Sequence, residues 1–246
     1  MRYIRSFFTV FCFAIFGIGG FLIGTVIFPL TLLIVPKKNQ RYVLINTVHY
    51  SWKIFVFVMS FFRLIKVKVE NKEKIKNLKG RVVVANHPSL IDIVLLISIV
   101  PNSVCIVKGK LANNFFIKHI IRKIYIVNNF DPSVVLNDAV KAINEGYNFI
   151  IFPEGTRSPL ENTNQELKLH RGFAQASLRA KAPILPIKIF NSPRVLTKSQ
   201  KWYKVGSKRT NFIITILNEI FPSNFDESSH YIQAVRLTEE IERVLF

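Results

Sequence analysis

The chain has 246 residues, 50% of them hydrophobic and 13% aromatic, and a mean hydropathy of +0.28; these values exclude disorder and allow one sizeable core without a second full domain. Thirty-four Lys and Arg against 15 Asp and Glu leave a net +19, so the expected partner is anionic: a membrane surface, a phosphorylated metabolite, an acidic carrier protein or nucleic acid. The two cysteines, Cys12 and Cys105, form no CxxC, and the five histidines have no metal-ligand spacing, which excludes a disulfide scaffold and a zinc module.

Phe7 to Val35 is a run of 29 residues without a charged side chain, flanked by Arg2 and Arg5 before it and by Lys37, Lys38 and Arg41 after it. It is longer than the roughly 7 to 15 apolar residues of a signal peptide and has no small-residue cleavage site. As one straight helix it would measure ~44 Å against a hydrocarbon core of ~30 Å, so a tilt, kink or turn is required. Gly17, Gly19, Gly20, Gly24 and Pro29 offer the places to bend. Tyr42 to Ile65 is apolar but contains His49, Lys53 and Arg63, and its six further aromatics suit a helix lying in the interface. Residues 1–70 therefore read as a membrane anchor, one bent or hairpin apolar helix plus an interfacial helix, and residues 71–246 as the folded domain. Both flanks of the first run are positive, so charge assigns no orientation, and a spanning helix and a hairpin in one leaflet fit equally.

After the basic stretch Lys72 to Lys79, short β-branched runs alternate with segments of helical period. Strands are expected at Arg81–Ala85, Val104–Val107, Ile124–Val127, Asn148–Phe152, Ile184–Phe190 and Phe212–Leu217. Helices are expected at Ser89–Ile99, Leu111–Arg122, Asp131–Glu145, Gly172–Ala180 and about Ser229–Val244. Asp131-Pro132 has the form of an N-cap with proline at the first helical position, and Gly146 of a helix stop. Strands apolar on both faces and separated by helices predict an α/β fold, a mostly parallel twisted sheet with helices on both faces, preceded by the apolar N-terminal segment. Ligands in such folds bind beyond the carboxyl ends of the strands.

Two motifs fall on those ends. In Asn86-His87-Pro88-Ser89-Leu90-Ile91-Asp92 a histidine ends a strand and an aspartate follows five positions later in a first helical turn. If Asp92 accepts a bond from one ring nitrogen, the other nitrogen can take a proton from a hydroxyl, which makes His87 a general base. A histidine capping a strand and an aspartate opening a helix would look the same in isolation. Ser89 lacks a nucleophile elbow and reads as the helix N-cap, and the amides at that helix start are candidate oxyanion donors. In Phe152-Pro153-Glu154-Gly155-Thr156-Arg157-Ser158 a guanidinium, two hydroxyls and exposed amides form a phosphate cradle, with Gly155 permitting close backbone approach. Glu154 fits beside an anion only if it bonds Arg157 or a substrate hydroxyl; a surface turn with a salt bridge is the plainer alternative. Lys108 and Lys110 add positive charge at the same edge.

In combination these residues resemble the glycerolipid (lysophospholipid) acyltransferase family, whose best-known members are 1-acyl-sn-glycerol-3-phosphate acyltransferases. The similarity runs from about Arg81 to Ile189 in four ordered blocks: NHPSLID; KGKLANNFF with the following IYIVNN, Lys108 to Asn129; FPEGTRS; and APILPIKI, Ala182 to Ile189, with Pro186 at the family's proline. The resemblance implies O-acyl transfer in phospholipid biosynthesis, from an acyl carrier protein or coenzyme A thioester to a lyso-glycerolipid hydroxyl, with no metal, no other cofactor and no acyl-enzyme. It implies His87 as base and Asp92 as its orienter, with Lys108, Glu154, Gly155, Thr156, Arg157 and Pro186 on the substrate. It also implies a bacterial inner-membrane protein with a cytoplasmic catalytic domain, membrane lipids as partners and no nucleic acid. Asn128-Asn129 stand where the family usually has an arginine for the acceptor phosphate, so a different lipid acceptor is an alternative; LKLHRGFAQASLRAKAPILP and LTKSQKWYKV look similar to a bacterial branch found with aryl-polyene lipid pathways. A basic membrane-surface protein without catalysis would explain the charge but not the pair of motifs.

Overall fold

The computed structural model describes residues 2–112, 118–128, 131–158, 168–197, 208–225 and 229–246. Helix α1 (Arg2–Leu22) passes through a π-helical turn, Ile23–Ile27, into α2 (Phe28–Ile34). The apolar run is thus one continuous helical rod, and its irregularity includes Gly24 and lies just before Pro29 rather than at Gly17, Gly19 or Gly20. Pro29 has no N–H for the carbonyl four residues back, and the Phe28 N–H bonds Ile23 O, five back. The chain reverses at Val35-Pro36 into α3 (Lys37–Phe61).

Helix α3, expected as an interfacial helix, has one face packed on the domain and the other open. Leu44, Ile45, Phe55 and Met59 are buried there, and the His49 Nδ1–H donates to Ile97 O at 2.6 Å. Tyr50, Ile54, Phe57 and Phe61 face outward. Ile4–Ile34 and Lys37–Phe61 are both long and apolar enough to cross a membrane.

Strand β1 (Ile65–Glu70) lies inside the stretch assigned to the anchor, yet it belongs to the sheet. Its Ile65, Val67 and Val69 alternate with Lys66, Lys68 and Glu70, the period of a half-buried edge strand. The remaining strands are β2 (Val82–Ala85), β3 (Ser103–Lys108), β4 (Ile126–Asn128), β5 (Asn148–Ile151), β6 (Ile184–Ser192) and β7 (Thr210–Ile216). Among the described residues these seven form one sheet, ordered β1-β7-β6-β2-β5-β3-β4. Every neighbouring pair is parallel except β6 with β7.

The helices α4 (Asp92–Ile99), α5 (Gly109–Ala112), α6 (Lys118–Ile124), α7 (Pro132–Asn144), α8 (Gly172–Ala180) and α9 (His230–Leu245) connect and cover the strands. All four residues of β2 are buried. Val83 and Ala85 pack with α4 and α3; Val82 and Val84 pack with α7, α8 and α9. Covering both faces is what allows a continuous apolar strand. The predicted caps hold: Asp131 accepts the Ser133 N–H at 2.9 Å with Pro132 opening α7, and Gly146 follows that helix with φ +88°.

Candidate active site

Two residues carry the first motif off the end of β2. The Asn86 side chain imitates a strand residue, donating through Nδ2 to Ile189 O (2.8 Å) and accepting the Ile189 N–H at Oδ1 (2.7 Å). This fixes the direction in which His87 leaves the sheet. The imidazole stacks on Phe152 with centroids 4.1 Å apart and planes inclined by 14°. Its Nδ1 lies 2.9 Å from Asp92 Oδ2. Asp92, wholly buried in the first turn of α4, also accepts the Ser89 N–H at 2.6 Å and the Ser89 hydroxyl at 2.5 Å. A carboxylate gripped by three donors can orient an imidazole without moving itself.

Ser89 is therefore not the side-chain cap expected of it, because its hydroxyl donates to the carboxylate instead of accepting from the helix. Three of the amides at this helix start, candidates for oxyanion donors, have partners within the protein. Ser89 N–H serves Asp92, Leu90 N–H serves Leu196 O at 3.2 Å, and Asp92 N–H serves Ser89 O.

The second motif leaves β5 and folds against the first. Glu154 Oε1 accepts the His87 N–H at 2.8 Å and the Ser158 hydroxyl at 2.8 Å, while the Ser158 N–H donates to His87 O at 2.7 Å. Glu154 bonds neither Arg157 nor open solvent; it is buried, and that burial pushes its carboxyl above the ordinary Glu value. Arg157 Nη1 donates to Leu196 O and Thr197 O at 2.8 Å each. Gly155 has φ +65°, and a Cβ there would stand 3.0 Å from the His170 ring. Both facts favour glycine. Thr156 is exposed on the same turn.

A cavity of about 660 Å³ opens beside these loops, within the ~300–1,000 Å³ typical of small-molecule sites. His87, Lys108, Asn128, Gly155, His170 and Gln175 give it polar groups, and Ile93, Ile106, Val135, Leu136, Ile150 and Phe152 help make the walls apolar. Cys105 also lines it, but burial pushes that thiol up to about 12, which removes the thiolate a nucleophile needs. Sequence reasoning missed His170, whose N–H donates to Pro153 O at 2.8 Å. Its position just ahead of α8, at the edge where β5 ends, was the available signal. Pro186 lies inside β6, in register with Val84, and does not line the cavity. Asn129 and the Lys110 side chain lie outside the described residues.

Residues 66–190, just over half of the chain, match the Acyltransferase family. The chain is 24% identical over 167 residues to a 1-acyl-sn-glycerol-3-phosphate acyltransferase of Cocos nucifera, a match covering 62% of this chain and 50% of that protein. It thus spans about half the length of that curated relative. Its fold is similar to that of the 1-acyl-sn-glycerophosphate (LPA) acyltransferase PlsC from Thermotoga maritima, with a TM-score of 0.75 and 22% identity over 100% of this chain and 97% of that one. Because the matched span contains both motif loops, the second block and the strand bearing Pro186, the protein belongs to the Acyltransferase family.

Proposed function

We propose that the protein is an O-acyltransferase that moves a fatty acyl chain from an acyl carrier protein or coenzyme A thioester to the hydroxyl of a lyso-glycerolipid, with 1-acylglycerol-3-phosphate as the first acceptor to test. The observation that carries this reading is the 2.9 Å approach of His87 Nδ1 to a fully buried Asp92, at the edge of a largely apolar cavity. With the proton on Nδ1 held by Asp92, Nε2 keeps its lone pair. As the acceptor oxygen attacks the thioester carbonyl carbon, its proton passes to Nε2. The carbon–sulfur bond then breaks, and the imidazolium returns a proton to the leaving thiolate. The apolar walls suit an acyl chain, and Lys108 at the end of β3 is the cation lining this cavity that suits a phosphate.

The apolar helices and the +19 charge support placement of the enzyme on an anionic membrane, where both acceptor and product reside. A second reading, the same chemistry on another lipid acceptor, is favoured by Asn128, a neutral amide lining the cavity. Purified protein incubated with acyl-thioester donors and a panel of lyso-lipids, followed by thiol release and product mass, decides between them. His87→Ala is expected to lower kcat at least ~100-fold while the protein stays folded and membrane-bound. Retained turnover in that variant would rule out the base assignment.

A further inference from the structure

Within that acyltransferase reading, we propose that His170 is a specificity-determining residue, which together with Lys108 seats a phosphate monoester carried on the acceptor next to the hydroxyl that His87 deprotonates. The main chain of His170 is tied to the second motif, its N–H donating to Pro153 O at 2.8 Å. Its ring edge is packed on Gly155, where a Cβ would stand 3.0 Å from both Cδ2 and Nε2. The neighbouring Glu154 carboxyl accepts the His87 N–H at 2.8 Å. One loop therefore holds both imidazoles, and both line the same cavity.

Charge and reach both favour an anion on the acceptor. Among the described residues no Asp or Glu lines this cavity, and neither the Lys108 ammonium nor the His170 ring has a hydrogen-bond or ion-pair partner. A fixed ammonium beside an imidazole that can take up a proton suits a phosphate monoester, which carries close to two negative charges. The strand order β2-β5-β3-β4 sets the reach, because His87 leaves β2, the loop under His170 leaves β5, and Lys108 and Asn128 end β3 and β4. Neighbouring strands lie ~4.8 Å apart. In 1-acylglycerol-3-phosphate a single carbon and oxygen separate the phosphorus from the carbon whose hydroxyl attacks. That phosphorus therefore falls at the next strand end, β5, with His170 beside it and Lys108 on its far side. The nearest phosphate of a coenzyme A or carrier-protein donor lies at the other end of a long pantetheine arm, well beyond one strand spacing.

The test measures KM and kcat of His170→Ala and His170→Lys with coenzyme A thioester as donor and vesicles containing either 1-acylglycerol-3-phosphate or monoacylglycerol. His170→Ala should raise KM for the phosphorylated acceptor ~10-fold, with kcat and the KM values for monoacylglycerol and for the thioester each within about threefold of wild type. His170→Lys, which keeps a cation, should recover most of that loss. An unchanged KM for the phosphorylated acceptor, or an equal rise for both acceptors, would overturn the assignment. A rise confined to the thioester would place the anion on the donor and overturn it as well. If His170→Ala does not fold, His170→Gln, which removes the charge and keeps a donor, takes its place. If the wild type acylates neither acceptor, the acyltransfer reading fails on its own, and binding decides the phosphate seat. In detergent micelles, 1-acylglycerol-3-phosphate and not monoacylglycerol should then move the imidazole proton resonance that is missing from the His170 variant; a resonance that stays in place overturns the seat.

Discussion

Glu154 shows how much of this site is spent on holding rather than reacting. One of its oxygens takes two hydrogen bonds, and the other, Oε2, is buried with no partner among the described residues. Burial dominates, so the carboxyl titrates above its ordinary value of 4.5. A raised folded-state pKa means stability that is fully present below pH 4.5 and is lost as pH climbs through the folded value, because the native state must then carry a poorly solvated anion. Gln has no such titration and keeps an acceptor oxygen for the His87 N–H. The melting temperature of Glu154→Gln relative to wild type should therefore rise with pH from about 4.5 upward and then level off. A pH-independent difference between the two melting curves would contradict this account.

Among the elements, the start of β5 ties the sheet together through one buried side chain. Asn148 donates to Leu78 O at 2.9 Å and to Pro101 O at 2.7 Å, and its Oδ1 accepts the Arg81 N–H at 3.2 Å. These are the segments that lead into β2 and β3, the strands delivering His87 and Lys108. Asn148→Ala would strand several backbone groups away from water, at a cost of about 3 kcal/mol. Denaturant titration of the detergent-solubilised variant should show that loss, and one below about 1 kcal/mol would mean that water replaces the amide. Element boundaries were legible wherever the signal was local. The Asp131-Pro132 start and Gly146 stop of α7 are properties of three residues, and the apolar β2 is a property of four. Strand β1 was not legible, since Lys66, Lys68 and Glu70 on its open face look like the charged border of an anchor. Only pairing with β7, about 145 residues later, makes it a strand.

For the whole molecule the decisive asymmetry is between the packed and open faces of the N-terminal helices. Phe57 and Phe61 on α3 remain 68% and 71% exposed, and Phe7 and Leu33 on the preceding helices 66% and 84%. An apolar surface of this extent needs a lipid or protein partner. Replacing Phe57 and Phe61 together by Asp leaves the buried face of α3 intact. The change should weaken binding to anionic vesicles by ~3 kcal/mol, about 100-fold, in a flotation assay, with the circular dichroism spectrum unchanged. Undiminished flotation would mean that this face does not meet the bilayer.

The amino-acid order alone determined the alternation of strands and helices, the apolar lead, and the pairing of His87 with Asp92. Each depends on neighbours within a few positions, where periodicity and capping act. Folding decided the rest. Arg157 meets carbonyls 39 and 40 residues away, Glu154 reaches back 67 residues to His87, and Gly155 is confined by His170. A guanidinium or carboxyl group has the same chemistry whatever approaches it. Whether it receives a substrate or a backbone depends on which loops the sheet brings to one edge, and that is a property of three-dimensional packing that no stretch of residues contains by itself.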